Sequence, residues 1–266
     1  MAILGFIGIG NMGYAMMKGA LTKYKKEDLL FSSVDTVRNE QVTAETGVTH
    51  VASNTDVVNQ CKYIVLAIKP QVYDVVLNEI KDVVTKDHVI ISIAPGITTD
   101  DVMEKLGGGL KIARAMPNTP ALVNEGMAGL CFGKTAMSEE EKNTVVEFFE
   151  SFGKCEVVDE KLMNAVVCAS GSSPAYVYMF IEALADGAVK YGIPRDKAYS
   201  FAAQTVLGSA KMVLETKEHP GKLKDNVCSP GGTTIAAVAA LEEYGFRNAI
   251  IKATDLCYEK TVGFKK

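Results

Sequence analysis

Two glycine-bearing stretches carry residue types whose spacing can do chemistry. The first, Lys224 to Leu241, reads KDNVCSPGGTTIAAVAAL. Polar residues lead into Ser229-Pro230-Gly231-Gly232, which cannot lie inside a regular element, and an Ala/Val/Leu helical pattern follows. The spacing predicts that Thr233 or Thr234 caps that helix, because a hydroxyl accepts from the free N–H groups of a first turn. A Gly-Gly pair at a helix start also leaves several N–H groups uncovered and pointing one way. That is a seat for a carboxylate or a phosphate without Lys or Arg. An ordinary, well-capped helix connection has the same local pattern, so this stretch by itself leaves both readings open. The second stretch is Gly8-Ile9-Gly10-Asn11-Met12-Gly13, a G-x-G-x-x-G run directly after the apolar residues 3–7 and before a helical pattern through Met16, Met17 and Ala20. In that context it reads as a dinucleotide fingerprint. Gly8 permits the tight turn, Gly10 lets backbone approach a pyrophosphate, and Gly13 lets helix pack on strand.

These stretches need a scaffold, and the chain between them alternates. Strands are expected at 29–33, 48–51 and 63–68, the last apolar on both faces as in a central parallel strand. A helix through Val75, Val76 and Ile80 leads to a strand at 89–93, which ends in Ala94-Pro95-Gly96. Helices at 36–46 and 99–106 and a strand at 112–116 continue the pattern. Strands with helices between them give a doubly wound parallel sheet, whose ligands bind beyond the carboxyl ends of the strands. The loops after Ile7, Ser33, Ile68 and Ile93 should therefore share one rim. A strand at 127–132, a helix opened by the capping box of Ser138 and Glu141, and a strand at 155–158 complete this half. From Lys161 the pattern is helical: 161–170, 174–191, 195–216, 233–243 and 246–262. The expected fold class is α/β, with an N-terminal Rossmann-type doubly wound parallel sheet followed by an all-α C-terminal dimerisation domain. Residues 1–160 are expected to bind NAD(P), and 161–266 to bind substrate and dimerise. The helical part is thin and Ala-rich, so some of its apolar faces are expected to pack against a second subunit.

Composition removes other classes. A chain that is 48% hydrophobic and 23% charged has the profile of a soluble globular protein with a substantial core. Net charge is −4 and the basic residues are scattered, so neither nucleic acid nor an anionic membrane is an expected partner. The six cysteines form no C-x-x-C pair, which reads as free thiols in a reducing, cytoplasmic setting. His50, His88 and His219 lack metal-ligand spacing, and no metal is expected. No signal peptide is expected, since the first apolar run stops at Gly8. The apolar segment 162–189 contains Gly171, Pro174, Glu182 and Asp186, which a membrane span would not carry at mid-depth.

The smaller signals are mostly structural. Gly107-Gly108-Gly109 reads as a helix stop, His219 before Pro220-Gly221 as a solvent-facing loop histidine, and Glu139–Glu141 as a solvated helix start. Lys69, at a strand's carboxyl end, is either a surface charge or a phosphate or substrate contact. The acidic residue that binds an adenine ribose is usually about 20 residues beyond the glycine loop. Here that region holds Ser32-Ser33, with Asp35 and Arg38 just beyond. Serines with a nearby Arg suit a 2′-phosphate and favour NADPH, while Asp35 keeps NADH open.

Taken together, these residues resemble the pyrroline-5-carboxylate reductase family over nearly the whole chain. The most specific part is KDNVCSPGGTTIAAVAALE; GFIGIGNMG, AIKP, RAMPNTP and SGSSPAY support it. The resemblance implies a cofactor lying across Ile7, Gly8, Ile9, Gly10, Asn11, Met12, Ser33, Asn54, Ala67, Ile68, Lys69, Pro70, Ala94 and Pro95. Glu160 and Asn226 are implied near the nicotinamide. The substrate carboxylate is implied on Ser229, Gly232 and Thr233, and the Thr234 hydroxyl on the substrate nitrogen as the catalytic side chain. The family forms homodimers through its C-terminal helices, and often larger rings of dimers.

The implied reaction passes hydride to C5 of a cyclic imine, L-1-pyrroline-5-carboxylate, and yields L-proline. Reducing a carbonyl generates an alkoxide and calls for an acid, but a protonated imine becomes a neutral amine and needs none. Alignment would then supply most of the catalysis, with both ligands meeting at the sheet's carboxyl rim. Two rivals remain. A 3-hydroxy acid dehydrogenase-like reductase would carry a catalytic Lys on the first long helix of its second domain, and here none precedes Lys190. A non-catalytic NAD(P)-sensing protein would have a degenerate substrate loop, and this loop is intact.

Overall fold

A computed structural model describes residues 2–263. The chain divides into two compact units. One runs to Ser172 and takes in the chain again from Cys257, and the other is Ser173–Leu256.

In the first unit, alternation along each strand sorts side chains onto two opposite faces. Strand β1 (Ala2–Ile7) leads to helix α1 (Asn11–Ala20), then β2 (Leu29–Ser32), α2 (Thr36–Thr46), β3 (Thr49–His50), α3 (Asn54–Gln60) and β4 (Cys61–Leu66). Next come α4 (Tyr73–Ile80), β5 (Val89–Ser92), α5 (Thr99–Leu106), β6 (Lys111–Met116), β7 (Gly126–Phe132), α6 (Glu139–Glu150) and β8 (Gly153–Val157). Leu4, Phe6, Val65 and Ile91 go to one core with Met16, Met17, Phe148 and Phe152 of the helices. Ile7, Ile64, Leu66 and Ile90 go to the other, with Tyr73, Leu77, Ile80 and Val102. Strands buried on both faces read as continuous apolar runs, which is why β4 and β5 are so plain in the sequence.

The sheet has eight strands in the order β3-β2-β1-β4-β5-β6-β7-β8. It is mostly parallel, as expected of a doubly wound sheet, with β7 running antiparallel to its neighbour β6. The link between them holds only a 3-10 turn, Thr119–Val123. A parallel crossover needs a dozen residues or more, so this short link can only double back.

Beyond β8 the expected helix at 161–170 is instead three pieces: a 3-10 turn (Glu160–Leu162), a short α7 (Met163–Val166) and a π turn (Val167–Gly171). The second unit contains α8 (Ser173–Lys190), α9 (Arg195–Thr216), α10 (Pro220–Val227), α11 (Thr233–Glu243) and the start of α12 (Phe246–Gly263). Helix α10 had read as loop because Pro220-Gly221 looks like a turn. Pro at a first helical position starts a helix instead, and His219 precedes it, its ring nitrogen accepting from the Gly221 N–H. Helix α3 was also missed, being short and polar; Ser53 and Asp56 close a capping box there.

The second unit has little core of its own. Its buried cluster is Ala185, Ala198 and Ala202, while Met179, Phe201, Leu214 and Tyr244 are all more than 60% exposed. A groove of about 560 Å³ on this unit is lined by Tyr176, Met179, Phe180, Leu241, Phe246 and Ile250, among others. Among the described residues, no helix is long and apolar enough to cross a membrane.

Candidate functional site

The turn from β1 into α1 is shaped by three glycines that do different work. Gly8 has φ +94°, donates its N–H to the Ser32 carbonyl at 2.8 Å, and leaves no room for a Cβ, which would lie 2.6 Å from the Ala67 carbonyl oxygen. Gly13 packs so tightly that a Cβ would collide with the Gly8 carbonyl. Gly10 is unlike both. Its backbone is ordinary (φ −64°, ψ −170°), it begins α1 with no side-chain cap, and a Cβ there would meet nothing within 4 Å. Neither strain nor packing asks for glycine at this position. What it leaves is open space over the uncapped N–H groups of a helix start, a cradle that fits the diphosphate of NAD(P). Ile7 and Ile9 are buried and Met12 is half-buried against the core, so they anchor the turn from below, with Asn11 exposed.

At the end of β2 the polar groups are already engaged with one another. The Asp35 carboxylate accepts from the Arg38 N–H at 2.9 Å and caps α2. Asn39 donates to the Ser33 carbonyl at 2.9 Å, and the Arg38 guanidinium lies 4.7 Å from the Tyr14 ring centroid. Ser32 donates to Asn54 at 2.7 Å, and Asn54 donates to Glu79 at 2.8 Å.

Ala67, Ile68, Lys69 and Pro70 leave the carboxyl end of β4, and Ala94 and Pro95 leave that of β5. Lys69 is exposed and directly precedes the 3-10 turn that Pro70 starts. Tyr73 sits beneath them; burial pushes its phenol up to about 12, so it stays protonated, 2.9 Å from the Ser92 hydroxyl. A cavity of about 480 Å³ opens here, lined by Pro70, Tyr73, Leu77, Pro95, Ile97 and Lys105 among others.

Glu160 is bound within the first unit. Its Oε1 accepts from the Thr99 N–H at 2.7 Å and its Oε2 from the Thr99 hydroxyl at 2.8 Å. Arg114 Nη1 lies 3.6 Å from Oε1. Arg114 is 2% exposed in a strand of otherwise apolar burial, and sequence reasoning gave it no role of its own. The signal was a lone Arg in the run Ile112-Ala113-Arg114-Ala115-Met116. Asn118 is also buried; it donates to the Ser170 carbonyl at 3.0 Å and accepts from the Met127 N–H at 2.8 Å.

In the second unit, Asn226 is exposed on α10, and Ser229 lies in the loop that follows. The expected threonine cap is not there. Gly232 is the residue before α11 and makes no side-chain cap bond; Thr233 and Thr234 are the first two helical residues. A hydroxyl caps from the half-turn ahead of a helix, and both threonines already have helical backbone. The loop closes on itself instead, with the Gly232 N–H on the Ser229 carbonyl at 3.1 Å, and a Cβ at Gly232 would collide with Ser229 Oγ. Thr233 is exposed and Thr234 half-buried. The start of α11 thus offers uncovered N–H groups beside the hydroxyls of Thr233 and Thr234, an arrangement suited to a carboxylate and a neighbouring polar atom.

A mostly parallel sheet with a glycine cradle at its first turn defines a Rossmann-type dinucleotide-binding protein, here joined to a helical unit. Comparison with known proteins gives the family. Residues 160–263 match the model "Pyrroline-5-carboxylate reductase dimerisation", and residues 3–96 match "NADP oxidoreductase coenzyme F420-dependent". The pyrroline-5-carboxylate reductase of Escherichia coli (strain K12) is 48% identical over 99% of this chain and 98% of its own length. That of Pisum sativum is 42% identical over 94% and 91%. The crystal structure of Plasmodium falciparum pyrroline carboxylate reductase with NADP bound superposes with a TM-score of 0.90 at 34% identity, covering 100% of this chain and 98% of that one. The chain belongs to the pyrroline-5-carboxylate reductase family.

Proposed function

We propose that this chain reduces L-1-pyrroline-5-carboxylate to L-proline with NAD(P)H, the final step of proline synthesis. The observation that carries the reading, beyond family membership, is the uncapped start of α11 behind an intact Ser229–Thr234 loop. Bound NAD(P)H would supply a hydride to C5 of the imine. Within residues 1–160, the cofactor-binding domain of this reading, Gly8, Gly10 and the N–H groups of α1 hold the cofactor diphosphate. Ile7, Ile9, Asn11 and Met12 shape that turn, and Asn54, Ala67–Pro70, Ala94 and Pro95 line the rim. Within residues 161–266, the N–H groups at Gly232 and Thr233, with Ser229, hold the substrate carboxylate. The Thr234 hydroxyl orients the ring nitrogen, and Glu160 and Asn226 take part near the nicotinamide. The protein's contribution is alignment, because a protonated imine is already electrophilic.

NADPH is the preferred donor in this reading. Asp35 is engaged as a helix cap, which supports leaving Ser33 and the cationic Arg38 to meet a 2′-phosphate. The apolar, thinly cored helical unit supports a homodimer, and rings of dimers extend the same reading. Six free thiols fit a cytoplasmic setting.

The deciding experiment is pyrroline-5-carboxylate-dependent oxidation of NADPH and NADH, followed by loss of reduced-nicotinamide absorbance. Turnover with proline as product is expected. Turnover of 3-hydroxy acids in its place, or cofactor binding with no turnover at all, would overturn the reading.

A further inference from the structure

Arg114 is difficult to explain as a stabilising residue. It lies in the middle of a buried strand, between Ala113 and Ala115, and its hydrogen bonds are long. Nη2 donates to Asn164 at 3.4 Å, Nη1 stands 3.6 Å from Glu160, and its buried Nε has no partner among the described residues. Good charge-assisted bonds are about 2.7–2.9 Å. The Arg114 cation is buried while Glu160 is partly exposed, and contacts this long do little to repay taking that cation out of water. What the pair does instead is fix a carboxylate. With the cation on one side, the Glu160 carboxyl turns both oxygens to Thr99, at 2.7 and 2.8 Å.

Thr99 is the first residue of α5, directly after the cap Thr98 and four residues past Pro95. The Glu160 carboxylate therefore ties the start of α5, and with it the loop from Ala94 to Thr98, to the segment after β8. That segment is in turn held to the end of β6 by the Arg114–Asn164 and Asn118–Ser170 bonds. In a parallel α/β sheet the loop beyond β5 is part of the ligand rim.

We propose that Arg114 and Thr99 are positioning residues: acting through Glu160, they hold the Ala94–Thr98 loop in the one arrangement that aligns a bound nicotinamide. This rests on the proposed function. It predicts an effect on alignment larger than the effect on folding.

The test uses the full chain and four variants. Thr99→Val keeps shape and removes one donor; Thr99→Ser restores the hydroxyl. Arg114→Met removes the cation, and Glu160→Gln keeps one acceptor. Melting temperature, NADPH binding with the emission of its reduced nicotinamide, and steady-state kinetics are measured on each. Thr99→Val and Arg114→Met are expected to lower kcat at least tenfold at a temperature where both are folded. KM for pyrroline-5-carboxylate should change less than threefold, and the emission change on binding should be largely lost. Glu160→Gln should fall between, and Thr99→Ser should retain most of both signals. Folded Thr99→Val with wild-type kcat and wild-type nicotinamide emission would overturn the proposal, as would Thr99→Ser failing as badly as Thr99→Val. Should Arg114→Met not fold, the threonine pair still decides. If the wild type binds NADPH but leaves the imine unreduced, the proposed function is wrong, and the emission and melting measurements alone judge the brace.

Discussion

Replacing Gly10 with alanine separates what the fold needs from what a ligand needs. At Gly10 the backbone is one that any residue adopts, and an added methyl would touch nothing within 4 Å. Two small effects on stability oppose each other. Restricting the unfolded chain favours alanine by about 0.4–1 kcal/mol, while glycine is the better residue ahead of a helix. The melting temperature of Gly10→Ala should therefore stay within about 3 °C of wild type, taking roughly 2–4 °C per kcal/mol. The same methyl would stand where the proposed diphosphate lies against the helix start. Overpacking of that kind costs about 1–3 kcal/mol, which is roughly a 5–150-fold rise in Kd for NADPH. Gly13→Ala is the converse, because its methyl would collide with the Gly8 carbonyl. It should lose roughly 3–10 °C before any effect on binding is read. Differential scanning fluorimetry with and without NADPH, together with titration of nicotinamide fluorescence, measures both quantities. Gly10→Ala binding NADPH within twofold of wild type would refute the cradle, whatever the activity.

Thr234→Ala should lower kcat at least tenfold while Thr233→Ala changes it less than threefold, scaled down from the roughly 10²–10³ lost with an oxyanion-hole donor; equal losses would remove the nitrogen-orienting role. Because neither threonine caps α11, both should melt within about 0.5 kcal/mol of wild type. Arg38→Ala should raise KM for NADPH about tenfold and leave NADH unchanged, since a charge-assisted contact is worth about 1.5–3 kcal/mol; an equal effect on both cofactors would contradict the 2′-phosphate reading. Sedimentation should show a dimer at nanomolar concentration, and a folded, active monomer there would contradict assembly through the helical unit. Glu141 sits in a pH-dependent cluster: burial opposes its ionisation, but bonds from Lys111 and Lys62 outweigh it and hold the carboxyl down at about 2. Its folded value lies below its unfolded one, so its contribution is complete above about pH 4.5 and fades as pH falls toward 2. Glu141→Gln should destabilise by about 1.5–3 kcal/mol at pH 7, and the gap to wild type should close below pH 4.5. A gap still undiminished near pH 2 would show the carboxylate is not the source.

What was legible in the sequence is what local pattern encodes. The glycine turn, the apolar runs of β4 and β5 and the capping box at Ser138 each need only a few neighbouring residues to be recognised. Gly107 ends α5 as the sequence implied, with φ +98°. The direction of β7 was not legible, because it depends on how short the link at 119–123 is in space. The cap of α11 was misread for a subtler reason: Ser/Thr preference at helix starts is real, but here the loop's own bond from Gly232 to Ser229 starts the helix one residue earlier. Glu160 was placed near the nicotinamide by resemblance, while its partner Thr99 lies 61 residues away in sequence. No period of 2 or 3.6 carries such a pairing, and only the lone Arg in β6 hinted at it.

The two ends of the sheet bear on how this protein fails. At one end β3 is two residues long, both exposed, and at the other β8 carries Lys154 and Glu156 into solvent. Short or charged terminal strands are poor templates for another chain's backbone. Most of the apolar surface available to a stray copy is helical, with Val157 of β8 an exception, and a helix closes its hydrogen bonds within itself. Chains separated by heat or dilution would therefore be expected to coalesce through side chains into amorphous precipitate. They would have little means of adding strands in register, so fibre growth is disfavoured in this scaffold even when its helical faces stand uncovered.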